Sequence, residues 1–508
     1  LVRQRYLAGG AIVAAFVAYG LLAFPLRHWL VDDAAISMAY AANWTTGRGL
    51  VAQPGVPPVE GYSNFLWVVL LALLNMAGAM TPMTIKLVSG GLVAAALVSL
   101  HSTCRQLIPR EPLLRAAVLL LVGTNSAIVT WTTSGLENPL TLLLACELLR
   151  IVSRARSEGV ERMQAVYAGL LVGAMAMNRP DGIALAAFPP LALVMAGRRE
   201  WRLLVPYGAT ITAIMAAFLA FRYSTFGAWV PNTFYAKQAS SIDPIASCVN
   251  AIVLLRGPVG STLVMVAVLA MALFQVRRGL ERHLIVPLCL MAVAGGVFVL
   301  LPPDWMPDRR FATAFIPAAV MFVGVVLGEV PQRRFRAVLV ACILVLAVGV
   351  SVSRLVRVYR LPIMPAATVE KDSIKFNERA RLMGLKDGSI LLPDIGAALL
   401  TSELRVYDLA GLIDPVVARS LRSDTARFHD YVFEEIRPTF IRALGPWAEY
   451  AAFDKDPRFR RDYMPIQESV DAQLLKQGKR LVTGEYVRRD ALAATGDASM
   501  LQKLRSIQ

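Results

Sequence analysis

Charge is what this sequence has little of: only 17% of its 508 residues are Asp, Glu, Lys or Arg, against 56% that are hydrophobic. A water-soluble chain carries roughly 25% charged residues, so an ordinary soluble enzyme is excluded. Histidine and cysteine are also scarce. The four histidines (His28, His101, His283, His429) are scattered, and the five cysteines (Cys104, Cys146, Cys248, Cys289, Cys342) lie in or beside apolar runs without CxxC spacing. Neither a disulfide framework nor a zinc site is implied. The arginine-rich loops also lack a GxGxxG or Walker pattern, the glycine-rich turns that cradle nucleotide phosphates.

Positive charge is present, but unevenly. The chain has 52 Lys and Arg against 36 Asp and Glu, a net +16; residues 364–508 hold 22 against 21, leaving 30 against 15 for residues 1–363. Short arginine clusters between apolar runs mark the cytoplasmic loops of a polytopic membrane protein rather than a nucleic-acid-binding surface. A lipid bilayer, and no nucleic acid, is the expected partner.

A spanning helix needs about 20 mainly apolar residues. Runs of that kind fall near 6–26, 82–101, 113–131, 136–152, 163–178, 183–197, 203–221, 257–275, 284–301, 311–329 and 337–353, which predicts about eleven spans. The first run is too long for a signal peptide and is not followed by a small-residue cleavage site, so it is expected to be retained. Ser63–Met80 is read as a juxtamembrane helix of the first outer loop, 27–81. The inner segments then hold Arg3 and Arg5; Arg105, Arg110 and Arg115; Arg150, Arg154, Arg156 and Arg162; Arg198, Arg199 and Arg202; Arg277, Arg278 and Arg282; and Arg333, Arg334 and Arg336. These eighteen face eight basic residues on longer outer loops, which puts the N-terminus inside and the C-terminus outside. From residue 361 the composition turns polar. "SILLPD" (389–394) and "LRVYDLA" (404–410) read as strands, "IGAALLTS" and "DPVVARSL" as helices. The expected fold is an α-helical polytopic membrane domain over 1–360, followed by a small outer α/β domain over 361–508.

Eight of the fifteen acids before residue 364 fall in outer loops or at outer helix ends, so any chemistry is expected to face outward. "VDDAAISMAYAANWTTGRGL" opens a helix with adjacent Asp32 and Asp33. Capping explains one Asp; neighbours on a helix point about 100° apart, so the pair needs different partners. "PPVEGYSNFLW", "TSGLENPL" and "NRPDG" follow, then "RYSTFGAWVPNTFYAK" and "PPDWMPDRRF", which place arginine, lysine and aromatic residues where a lipid phosphate meets the interface. Lys86, near an outer helix end, is expected to snorkel.

In this order and topology, these segments resemble the GT-C superfamily of polyprenyl-phosphate-dependent glycosyltransferases. Within it they are similar to the membrane arabinofuranosyltransferase-like family that includes the mycobacterial enzyme adding terminal β-1,2-arabinofuranose to cell-wall arabinan. "DIGAALLTSELRVYDLAGLIDPVVAR" (394–419) is similar to the C-terminal motif of bacterial members. Departures are Pro302 and Pro303, where glycines are usual, and Asp308, where Gly is usual. The resemblance implies a GT-C-like fold and a catalytic carboxylate at Asp32 or Asp33. Glu60, Tyr62, Asn64, Glu137, Asp181, Asn232 and Asp304 would then line the sugar and acceptor site, with Arg179, Arg222, Lys237 and Arg310 at the donor phosphate. It implies a polyprenyl-phosphate sugar as donor, arabinofuranose first, and a cell-envelope glycan or protein as acceptor, in a bacterial inner membrane. No bound cofactor and no metal ligand are assigned, and metal dependence is left open. A lipid-linked sugar flippase or a non-catalytic envelope-assembly protein is the alternative.

Overall fold

The computed structural model describes residues 2–158, 161–197, 201–237, 243–255, 280–302, 306, 308–470 and 482–507. Among these residues, five helices are long and apolar enough to cross a membrane: α1 (Val2–Ala23, its apolar window running Gly9–Leu26), α4 (Pro82–Leu107), α10 (Leu204–Phe226), α13 (Leu280–Leu300) and α15 (Arg333–Arg360). A sixth is formed if α5 (Pro112–Gly123) and α6 (Ser126–Thr133), bent 51° apart, are one broken span. The bend has a local cause. Asn125 accepts hydrogen bonds from the amides of Ala127 and Ile128, restarting the helix in a new direction.

The other expected spans are shorter or more charged. α7 (Asn138–Glu158) carries Glu147, Arg150 and Arg154; α8 (Arg162–Asn178) has 17 residues. The run at 183–197 is a 3₁₀ segment, Pro180–Ala187, continuing into α9 (Phe188–Met195). α14 (Phe315–Gly328) has 14 residues, and every one from Phe315 to Leu327 is buried. A helix apolar all round belongs in the middle of a bundle. The expected span at 257–275 lies outside the described residues. Ser63–Met80 contains a 12-residue apolar helix, α3 (Phe65–Met76).

After α15 comes α16 (Ala366–Leu382) and a five-stranded sheet in the order β2-β1-β3-β5-β4. The first two strands, β1 (Ser389–Leu392) and β2 (Arg405–Asp408), fall on the segments read as strands. β1 is parallel to β2 and to β3 (Phe440–Ala443), while β5 (Val482–Arg488) runs antiparallel to β3 and to β4 (Tyr463–Val470). One face of this sheet shares a core with the segment between α1 and α4: Phe376, Ile390, Leu392 and Phe440 pack in one cluster with Tyr40, Trp67 and Val68.

The start of α2 (Asp32–Thr45) is fastened on three sides. Val31 donates its amide to Ser134 O, Asp32 donates to Met364 O, and Ala366 donates back to Leu30 O. Lys86 does not snorkel. Its ammonium donates to the carbonyls of Trp29 and Thr133, both at 2.6 Å, and so ties the turn after α1 to the end of α6.

Candidate active site

The two adjacent aspartates have separate partners. Asp32 is buried, and its carboxylate accepts from the amides of Gly396 (2.7 Å) and Ala397 (2.8 Å). Residue 396 must be glycine: a Cβ there would lie 1.9 Å from the Asp32 carbonyl oxygen. Asp32 is thus a clasp between the start of α2 and the segment after β1. Burial pushes its carboxyl up to about 7, against the pull of the two amides. An unfolded Asp titrates near about 3.9, so the folded state binds the extra proton between these values and stability falls as pH rises through that window. The difference in Tm between wild type and Asp32→Asn is expected to shrink from pH 5 to pH 8; a difference independent of pH would contradict this.

Asp33 faces the other way. Its side chain is 37% exposed and lies 3.6 Å from the Arg310 guanidinium, across 277 residues of sequence. Arg310 is buried, with its guanidinium 4.7 Å from the Phe311 ring and 5.8 Å from Trp131. Arg179 also lies over Phe311, at 4.2 Å, and forms ion pairs with Glu137 (2.8 Å) and Asp181 (2.9 Å). Asn64 joins this network by donating to Glu137 and accepting from Ser37. Asp33 with Arg310, and Asn64 with Glu137, Arg179 and Asp181, therefore meet around the Phe311 ring as a polar group drawn from five separate stretches of sequence.

Beside it is a cavity of about 30 Å³, its polar wall made by Asn138, Thr141, Arg179, Asp181 and Arg310 and its other side by apolar residues such as Leu185 and Val297. Asn138 donates to Arg310 O and to Thr313, but its buried Oδ1 has no partner among the described residues. The volume suits a water or a single oxygen-bearing group, not a whole sugar. Its two guanidiniums already face three carboxylates, Arg179 those of Glu137 and Asp181 and Arg310 that of Asp33.

The remaining expected site residues lie elsewhere in the network of contacts. Arg222, expected at the donor phosphate, is held by Glu60, expected at the sugar: Nε and Nη2 donate to the two carboxylate oxygens at 2.7 and 3.2 Å, and both residues are buried. Asn232 donates to the carbonyls of Gly411 and Leu412, a structural link between the helix Asn232–Ala236 and the segment after β2. The Tyr62 hydroxyl is buried without a partner among the described residues, its ring packed on Tyr40. Lys237 is exposed after the short helix α11 (Asn232–Ala236), which is followed by α12 (Pro244–Leu255), and Asp304 lies outside the described residues.

The residue-by-residue reading missed Asp394. This half-buried acid follows β1 in the same loop that clasps Asp32, and is pushed up to about 6 by burial, with Arg442 pulling it down and Asp33 and Asp372 pushing it up. The available signal was its place at the head of the 394–419 segment. Among the described residues no group of three His, Cys, Asp or Glu side chains is placed to hold a metal.

No family model matches the chain, and no curated protein sequence is similar to it. Solved structures are. The oligosaccharyltransferase AglB of Archaeoglobus fulgidus, in complex with an inhibitory peptide and a dolichol-phosphate, superposes with a TM-score of 0.54 at 10% identity, over 86% of this chain and 69% of that one. ArnT of Cupriavidus metallidurans bound to undecaprenyl phosphate gives 0.55 at 10% identity, over 96% of this chain and 98% of that one. Apo ArnT gives 0.58 at 12%, over 96% and 99%. The chain shares its fold with these proteins.

Proposed function

We propose that this protein is a membrane glycosyltransferase that takes a sugar from a polyprenyl-phosphate donor and passes it to a hydroxyl acceptor. The observation that carries this is the pairing of Asp33 with Arg310 beside a cavity whose polar wall includes Arg179. Two of the structures sharing the fold were solved with dolichol-phosphate and undecaprenyl phosphate, respectively, which supports a lipid phosphate as the anion at the arginines. Transfer is favoured over transport by the placement of the acids: Asp33 opens α2, Glu137 precedes α7 and Asp181 follows α8. All three stand at helix ends rather than mid-membrane.

In this reading Asp33 removes the proton of the acceptor hydroxyl as its oxygen attacks the anomeric carbon, a role worth roughly 10²- to 10⁴-fold. The bond from that carbon to the phosphate oxygen breaks, and polyprenyl phosphate leaves. Arg310 and Arg179 stabilise the charge that grows on the leaving phosphate. Glu137 and Asp181 hold Arg179 in place. The sugar favoured first is arabinofuranose and the acceptor a cell-envelope glycan or protein. The site is assigned to the outer face of a bacterial inner membrane, with about eleven spans, the N-terminus inside and residues 361–508 outside.

The test is incubation of purified protein and acceptor glycan with a panel of polyprenyl-phosphate sugars, reading free polyprenyl phosphate by mass spectrometry. Release from one donor is expected; release from none would overturn the reading.

A further inference from the structure

Asp33 and Arg310 come from opposite ends of the membrane part of the chain, yet both are tied to one short stretch, residues 354–366. On the Asp33 side, the Trp29 indole donates to Ile363 O, the Asp32 amide to Met364 O and the Ala366 amide to Leu30 O, while the Tyr359 hydroxyl reaches Leu22 O at the end of α1. On the Arg310 side, Arg354 forms an ion pair with Asp308 at 3.2 Å. From Arg354 to the end of α15 is only about 9 Å along the helix.

The Asp308 tether is unusual in its backbone. Asp308 and Arg309 are consecutive non-glycine residues in the left-handed region, at φ 63° and 57°. Such a conformation persists where surroundings over-determine it, and here three groups do so. Arg354 and the Ser126 hydroxyl (3.3 Å) both reach one carboxylate oxygen of Asp308, and the Trp131 indole donates to its carbonyl at 3.1 Å. Trp131 is also one of the rings beside the Arg310 guanidinium. The left-handed pair turns the chain so that the very next residue, Arg310, faces Asp33.

We propose that Arg354 and Asp308 are positioning residues for the Asp33–Arg310 pair: the C-terminal end of α15 acts as a ruler that fixes the separation of carboxylate and guanidinium. This deepens the transferase reading and rests on it for its kinetic consequence, but not for its geometric one. Misplacement of a reacting group by about 1 Å costs on the order of 10²-fold in rate.

The test uses the full-length protein with Arg354→Met, Asp308→Gly and Arg354→Lys. Glycine adopts φ near 63° without strain, so Asp308→Gly removes the tether while sparing the turn. Arg354→Met and Asp308→Gly are expected to lower kcat by about 10²-fold and to raise KM for the lipid donor, whose phosphate Arg310 holds, and Arg354→Lys to restore most of both. In an Arg310→Met background, Arg354→Met should cost nothing further. A readout independent of activity is the ¹⁹F resonance of Trp131 in protein labelled with 5-fluorotryptophan, assigned with Trp131→Phe. It should move in Arg354→Met and Asp308→Gly. An unmoved Trp131 resonance, or a kcat loss of the same size in the Arg310→Met background, would overturn the proposal. Should the wild type release no polyprenyl phosphate from any donor, the transferase reading falls, and the Trp131 resonance still decides whether the tether sets the loop.

Discussion

Asp33→Asn is expected to lower sugar transfer by about 10²- to 10⁴-fold while leaving Tm within a few degrees of wild type. The carboxylate is more than a third exposed and its partner is a guanidinium 3.6 Å away, so the amide is accommodated sterically but cannot take a proton from a hydroxyl. Asp32→Asn behaves in the opposite way. Its two oxygens accept from two backbone amides, and a carboxamide would turn an N–H donor against one of them. The cost there is the orphaned amide, about 1–3 kcal/mol, read as a lower Tm rather than as a selective loss of turnover. Parallel measurement of transfer rate and thermal unfolding on the two variants separates the roles; equal rates for Asp33→Asn and wild type would remove Asp33 from the chemistry.

The second large effect concerns Glu60 and Arg222. Glu60→Gln leaves the Arg222 guanidinium buried without its counter-charge, and breaking a buried pair in this way costs about 3–5 kcal/mol. The double variant Glu60→Gln/Arg222→Met is expected to be more stable than the sum of the two single losses, since neither charge is then stranded. Chemical unfolding in detergent gives the comparison. A Glu60→Gln protein with wild-type stability and a selective loss of transfer would instead return Glu60 to the sugar site, where the family resemblance put it.

Local pattern made the secondary structure of the site legible, and long-range pairing was what it could not supply. The adjacent aspartates, the strands "SILLPD" and "LRVYDLA", and the arginine that follows Asp308-Arg309 are visible as residue types in a run. That Asp32 is consumed by amides 364 and 365 residues away, or that Arg222 is neutralised across 162 residues by Glu60, is visible only once the chain is folded. The same holds for Lys86, whose two carbonyl partners are 57 and 47 residues away. Apolar run length carried a different ambiguity. α14 is as hydrophobic as a span but is 14 residues long and buried on every side, and hydropathy alone does not separate a helix facing lipid from one facing other helices.

The proposed transfer requires a lipid phosphate to bind between Arg179 and Arg310, next to Asp33. A polyprenyl phosphate carrying a photoreactive diazirine beside its phosphate, bound to the purified protein in nanodiscs and irradiated, tests this most directly. The cross-linked peptides are predicted to fall at residues 179–185 and 310–314, with loss of labelling when unmodified polyprenyl phosphate competes. Labelling that spreads over the outward apolar faces of α1, α4 and α15, and that the competitor leaves unchanged, would contradict it.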